Sequence, residues 1–195
     1  MTILNLLTVS LGAVLAENLV FSRFLGTETF FSDTKNTARA VRRGIAVGIF
    51  LTAASLIAYI LNALLLAPAG LEYMRTFIFV LVLGAGVKIC ENVLGRRFPE
   101  KYEKLGISFD SVCFSSAFLG VMLICTSHSY TFFEALFFGI FSGAGYILSS
   151  LILSAIRENL EYTDCPKFLK GEPMLFITLG LIALAFMGFS GMKFI

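Results

Sequence analysis

Glu17 is the first residue whose placement calls for an explanation. It follows the apolar run Ile3–Ala16 and precedes Asn18, Leu19 and Val20. A carboxylate at the centre of a membrane helix costs roughly 2.5–3.5 kcal/mol on insertion scales, so it must face protein or water. Asn18 and Arg23 are the polar groups at hand. Two chemistries fit: an ion or proton site, or a helix break beside a cofactor. A buried polar clamp between helices fits equally well. Lys88 and Glu91 lie three residues apart, hence on one helix face, and read as a pair snorkelling to the membrane surface. Asp110 stands near the start of an apolar run, where a cation or the helix N-terminus itself would favour an acid. His128 is the single histidine and falls in a loop, a weak claim to being a ligand. Gly139, Gly143 and Gly145 look like a phosphate loop only superficially. They sit in an apolar stretch with no following Lys-Ser/Thr, so they read as small residues that let helices approach closely. Gly84 with Gly86, and Gly188 with Gly191, invite the same reading. Cys90, Cys113, Cys125 and Cys165 show neither a C-x-x-C pair nor zinc spacing, and the first three read as small buried hydrophobes. There is no serine–histidine–acid set, no paired catalytic carboxylates and no nucleotide fingerprint, so nothing points to a self-contained enzyme.

The elements that must carry these residues are membrane spans. Of the 195 residues, 57% are hydrophobic and 14% charged, against about 45–50% and 25% in soluble domains. Six apolar segments run from Ile3 to Leu25, Gly44 to Leu66, Thr76 to Leu94, Ile107 to Thr126, Thr131 to Ile156 and Met174 to Met192. Lipid offers no partner to a free backbone group, so continuous runs of this kind predict helices. The strand-like alternation of a membrane barrel is missing. One polytopic all-α domain over 1–195 is expected, with no separate soluble domain. The Met1 end, lacking a basic stretch before its apolar run, is not read as a cleavable signal peptide.

Charge sets the orientation. Lys35, Arg39, Arg42 and Arg43 follow the first segment. Arg96, Arg97, Lys101 and Lys104 follow the third, and Arg157, Lys167 and Lys170 the fifth. Six spans put all of these on one side, leaving Arg75 and Lys193 on the other. The rich side is then cytoplasmic and both termini lie outside. These basic residues are topology signals, so no nucleic-acid partner is expected; the partner is the lipid bilayer. Ser22-Arg23-Phe24-Leu25-Gly26 and Ser116-Ala117-Phe118-Leu119-Gly120 share a pattern three spans apart. That suggests inverted repeats over about 1–95 and 105–195 with broken first and fourth helices, an arrangement that transporters use to place a site near the midplane.

Those residues, with others along the chain, resemble the integral-membrane subunits of the Rnf and Na⁺-NQR redox complexes, most closely the A-type Rnf subunit. The resemblance rests on Glu17-Asn18-Leu19-Val20, Arg23-Phe24-Leu25-Gly26, Leu71-Glu72-Tyr73-Met74-Arg75-Thr76, Ala117-Phe118-Leu119-Gly120-Val121, Ala155-Ile156-Arg157-Glu158 and Leu184-Ala185-Phe186-Met187-Gly188-Phe189-Ser190-Gly191. It implies six helices in two inverted three-helix repeats, in a bacterial or archaeal cytoplasmic membrane. It also implies a complex that couples electron flow from ferredoxin or NADH to Na⁺ or H⁺ movement. The partners implied are flavin and iron–sulfur subunits together with a homologous, oppositely oriented membrane subunit. The cofactor implied is a [2Fe–2S] cluster shared by the two homologous subunits, each giving two cysteines.

At the family's ligand positions this chain has Glu28 and Ser116, with Cys113 one turn before Ser116. Iron–sulfur clusters are held chiefly by thiolates, and Glu and Ser are hard substitutes. The resemblance therefore implies a subunit without its own iron–sulfur ligands, or one whose partner supplies most of them; the former is expected. Glu17, Asn18 and Glu28 then become the residues of an ion pathway. The alternatives are a substrate-binding membrane subunit of a small-molecule uptake transporter, and a structural scaffold for redox neighbours.

Overall fold

The computed structural model describes residues 8–27, 37–70, 72–97, 116–162, 166 and 169–190. Every regular element among them is helical. The N-terminal segment is helical over 8–16 and π-helical at Gly12–Ala16. Five longer helices follow: α1 (Thr37–Leu61), α2 (Arg75–Arg97), α3 (Ser116–Ser127), α4 (Phe132–Glu161) and α5 (Glu172–Ser190). Three stretches are long and apolar enough to cross a membrane: Ala40–Leu66, Phe132–Leu160 and Glu172–Phe189. Arg75–Gly86 and Ser116–Ser127 are shorter apolar helices.

The helix ends follow local chemistry. α1 begins seven residues before the predicted Gly44, so Arg39, Arg42 and Arg43 ride on its first turns rather than in a loop. At its far end Pro68 has no N–H to give the carbonyl four residues back. The chain passes through a π-helical turn at Asn62–Leu66 into Ala67–Ala69, and stops at Gly70 in the left-handed region, φ 63°. α4 starts with a capping box: the Glu134 carboxylate accepts the Thr131 N–H and the Thr131 hydroxyl, each at 2.9 Å. α5 carries a single charged residue, Glu172, at its first position.

The core is the α1–α4 pair with the N-terminal segment and α3 packed against it. The two helices approach closely at Gly48 and Gly143. A β-carbon at Gly143 would meet the Gly48 Cα at 2.8 Å, and one at Gly139 would meet the Thr52 Cα at 2.9 Å and also the Ser55 hydroxyl. Without a hydrophobic effect between helices in lipid, such backbone approach is what holds them together. The small-residue reading holds at Gly139 and Gly143. At Gly84, Gly86 and Gly188 no other described residue lies within 4 Å of a β-carbon built there. Gly191 lies outside the described residues. Around this core, α2 and α5 turn Phe77, Val80, Leu81, Phe176, Ile177, Leu181, Leu184 and Met187 outward. Such a surface is costly in water and natural in lipid.

Candidate functional site

The N-terminal segment breaks at Glu17. Its N–H reaches the Gly12 carbonyl, five residues back, at 2.7 Å, and closes a widened π-turn. Such turns recur at functional sites. Asn18 then restarts the chain. Its Oδ1 accepts the N–H groups of Val20 at 3.0 Å and Phe21 at 3.1 Å, as a capping side chain does. Its Nδ2 donates to the Val14 carbonyl at 2.9 Å and toward that of Gly145 at 3.4 Å. The Ser149 hydroxyl donates to the same Oδ1 at 3.1 Å. Asn18 is fully buried, as are Leu19, Val20 and Phe21, and the Phe21 ring packs on Phe186 of α5 with centroids 4.7 Å apart. A buried amide with this many partners is a clamp that ties the break to α4. Gly145 lies beside the break: a β-carbon there would make ordinary van der Waals contact with Ala13, Val14 and Asn18 at 3.4 Å.

The break continues to Gly26 and there meets α3. The Gly26 N–H donates to Ser116 Oγ at 3.0 Å, and the Leu25 side chain lies against Gly120, where a β-carbon would overlap it. The two matching triplets, Phe24-Leu25-Gly26 and Phe118-Leu119-Gly120, are therefore neighbours in space. Phe24 holds φ 55°, a conformation that bulky residues rarely adopt. That strain persists because the flanking residues are pinned on both sides.

Glu17 faces a different neighbour. Its Oε1 lies 3.8 Å from a guanidinium nitrogen of Arg23 and 3.4 Å from Nε2 of His128. The glutamate side chain is about one quarter exposed, and those of Arg23 and His128 about half. His128 is presented by the α3–α4 turn, where Ser129 takes φ 50° and the His128 N–H stays bonded to the Ile124 carbonyl at 3.1 Å. The imidazole stacks on Tyr130, with centroids 5.3 Å apart and planes 13° apart. Burial, aided by the nearby Glu17 carboxylate, pushes the Tyr130 phenol well up from its ordinary range. Sequence reasoning anticipates Arg23 beside Glu17 and passes over His128. A loop histidine carries no periodicity that could tie it to a residue more than a hundred positions away.

Glu28, Cys113, Asp110 and Cys165 lie outside the described residues. Cys125 is a free, buried cysteine. Lys88 is exposed on α2, and the Glu91 side chain is outside the described set. The described residues at the Ser116 junction do not fit an iron–sulfur cluster. The Ser116 oxygen is a hard donor already accepting the Gly26 N–H, and Leu25 fills the space over Gly120. Among the described residues no three His, Cys, Asp or Glu side chains converge as a metal site.

The chain matches a family model described as "Rnf-Nqr subunit, membrane protein" over residues 6–193. It is 36% identical over 190 residues to the A-type subunit of the Na(+)-translocating ferredoxin:NAD(+) oxidoreductase complex of Acetobacterium woodii, covering 97% of this chain and 99% of that protein. It is 36% identical over 182 residues to the A-type subunit of the ion-translocating oxidoreductase complex of Aliivibrio salmonicida, covering 93% of this chain and 94% of that one. The protein of the same description from Yersinia enterocolitica is 37% identical over 181 residues, with the same coverage. A match that runs nearly end to end, on a helical chain with an apolar outer surface, makes this protein a member of the Rnf-Nqr family of membrane subunits.

Proposed function

We propose that this chain is the A-type membrane component of an ion-translocating electron-transport complex. The observation that carries this reading is the near-complete overlap, 97% of this chain and 99% of the relative, with the A-type component of such a complex. Insertions that would add a domain of different function have no room in that overlap. The partners are the other subunits of the complex: a homologous membrane subunit of opposite orientation, and subunits that carry flavin and iron–sulfur groups. The membrane is the cytoplasmic one of a bacterium or archaeon, with both termini outside. The fold is completed as six helices in two inverted repeats. The meeting of the two Phe-Leu-Gly triplets supports that arrangement, since a pseudo-twofold axis brings equivalent positions together.

In this reading the chain contributes a passage and a scaffold rather than cluster ligands. Ser116 and the Leu25–Gly120 contact form a closed junction. Electrons travel on the partner subunits, and the broken segment around Glu17 and Asn18, with Glu28 beyond it, lies on the ion route. Purification of the chain from native membranes in mild detergent tests the assignment. Flavin and iron–sulfur subunits should accompany it, and the reduced sample should give cluster signals that persist when Ser116 is changed to Ala. Recovery alone, or with ATPase subunits and no iron, refutes it in favour of an uptake transporter.

A further inference from the structure

Three buried side-chain atoms have no hydrogen-bond partner among the described residues: Ser22 Oγ, Ser142 Oγ and Arg75 Nε. A hydroxyl left alone costs about what one lost hydrogen bond costs. A guanidinium stays charged whatever surrounds it, so an unanswered one beside hydrocarbon costs far more. Arg75 is the first residue of α2, directly after the short turn Glu72–Met74. No described carboxylate forms an ion pair with it, and the first turn of α2 holds no acid. The other basic residues of α2 begin at Lys88, about 20 Å further along the helix. In the six-span reading Arg75 also stands at the membrane face that is poor in basic residues, where nothing in the charge pattern of the chain calls for an arginine.

The surroundings of Arg75 are amphipathic. Tyr73 is 79% exposed, and tyrosine collects at the level of the lipid headgroups. Below it, one line along α2 is apolar and faces outward. Met74, Leu81 and Ile89 are exposed there, with exposed Ala85 among them and the partly covered Ile78 three residues from Arg75. A spacing of three to four residues keeps them on one side of the helix, and Ile78 to Ile89 spans about 17 Å. That is close to one leaflet of a hydrocarbon core about 30 Å thick. We infer that Arg75 and this side of α2 bind an anionic phospholipid, its phosphate on the guanidinium and an acyl chain along Ile78, Leu81, Ala85 and Ile89. The planar guanidinium fork takes two phosphate oxygens at once. The depth marked by Tyr73 and the apolar line that starts beside the charge favour a lipid over an acidic side chain of another subunit, because a phospholipid brings a phosphate and a chain in that geometry. A net negative headgroup is selected because the arginine has no described acid of its own. The inference goes beyond the redox reading and does not depend on it; it needs only that α2 lies in a membrane.

The test uses photoreactive lipids. The chain, with whatever subunits accompany it, is purified from native membranes in mild detergent and placed in phosphatidylcholine vesicles. These carry a trace of photoreactive phosphatidylglycerol, or of a phosphatidylcholine with the same chains and the same photoreactive group. Labelled peptides are mapped by mass spectrometry. Labelling within residues 73–89 should be about tenfold higher with the phosphatidylglycerol probe, as one charge-assisted contact predicts, and unlabelled phosphatidylglycerol should compete it away. R75Q should bring the two probes level, and R75K should keep part of the preference. E72Q removes the acid nearest in sequence and should not lower it. The wild-type competition needs no variant, so the test stands even where R75Q fails to fold. Equal labelling of the wild type by both probes overturns the inference, and so does a preference that survives R75Q or falls as far in E72Q. Absence of lipid label over 73–89 in the intact complex also overturns it and gives this side of α2 to another subunit. Recovery of the chain without redox subunits refutes the proposed function and leaves this measurement intact.

Discussion

Replacing Asn18 with Leu should be among the most destabilising single changes in the described chain. Leucine keeps the amide's branched shape, is bulkier, and removes both of its functions. The N–H groups of Val20 and Phe21, now bonded to Asn18 Oδ1 at 3.0 and 3.1 Å, lose their acceptor in a fully buried place. The Val14 carbonyl loses a donor at 2.9 Å. Each orphaned buried group costs about 1–3 kcal/mol in water-based measurements, but a polar contact in a membrane is worth nearer ~0.6–2 kcal/mol because the unfolded state in lipid finds partners too. Two N–H groups and one carbonyl then give about 2–6 kcal/mol in total. The Gly145 contact, at 3.4 Å, is too long to add much. Ser149→Ala is the internal control. Its single hydroxyl proton is shared between Oδ1 at 3.1 Å and its own helix's Gly145 carbonyl at 2.9 Å, so its loss should cost below about 1 kcal/mol. The assay is denaturant-induced unfolding in mixed micelles, followed by loss of helical circular dichroism, with all three proteins in one detergent. N18L within about 0.5 kcal/mol of wild type, or S149A as damaging as N18L, would refute the view that Asn18 is the clamp that closes the break.

Gly143→Ala should loosen the α1–α4 pair, because the new β-carbon would stand 2.8 Å from the Gly48 Cα. About 1–3 kcal/mol of overpacking is expected, seen in the same unfolding assay, while Gly84→Ala should not destabilise, because no other described residue lies within 4 Å. Ser116→Ala removes the acceptor of the Gly26 N–H and should cost about 1 kcal/mol without changing the iron content of the purified complex. Glu134→Ala opens the capping box of α4 and should cost about 0.5–2 kcal/mol, read as faster hydrogen exchange at residues 131–135. In an ultraviolet titration, part of the phenolate signal should come above the ordinary tyrosine range, and that part should shrink in Y130F. Because folding raises the Tyr130 value, its contribution to stability is complete below about pH 10 and is lost as pH rises toward the folded-state value.

Much about this protein follows from the order of its residues alone. Apolar runs without strand-like alternation make membrane helices, because hydrocarbon leaves backbone groups no other partner. The far end of the second apolar run at Leu66 and the start of the fifth at Thr131 agree with the structure, since capping and chain termination act within one turn. The small residues of α4 were legible as a packing face, and an acid after an apolar run marked Glu17 as a residue in need of a partner. Which partner was a matter for the tertiary structure. The Glu17–His128 contact, the bonds of Asn18 to α4 and the Gly26–Ser116 junction join residues about 90 to 130 positions apart. No local periodicity encodes such pairs. They exist because α4 and α3 fold back on the N-terminal segment, and because the freed backbone groups of the break must find donors and acceptors wherever the packed chain offers them. The same reason separates Gly143, which meets α1, from Gly84, which meets no other described residue: identical residues in similar apolar runs, told apart only by what packs against them.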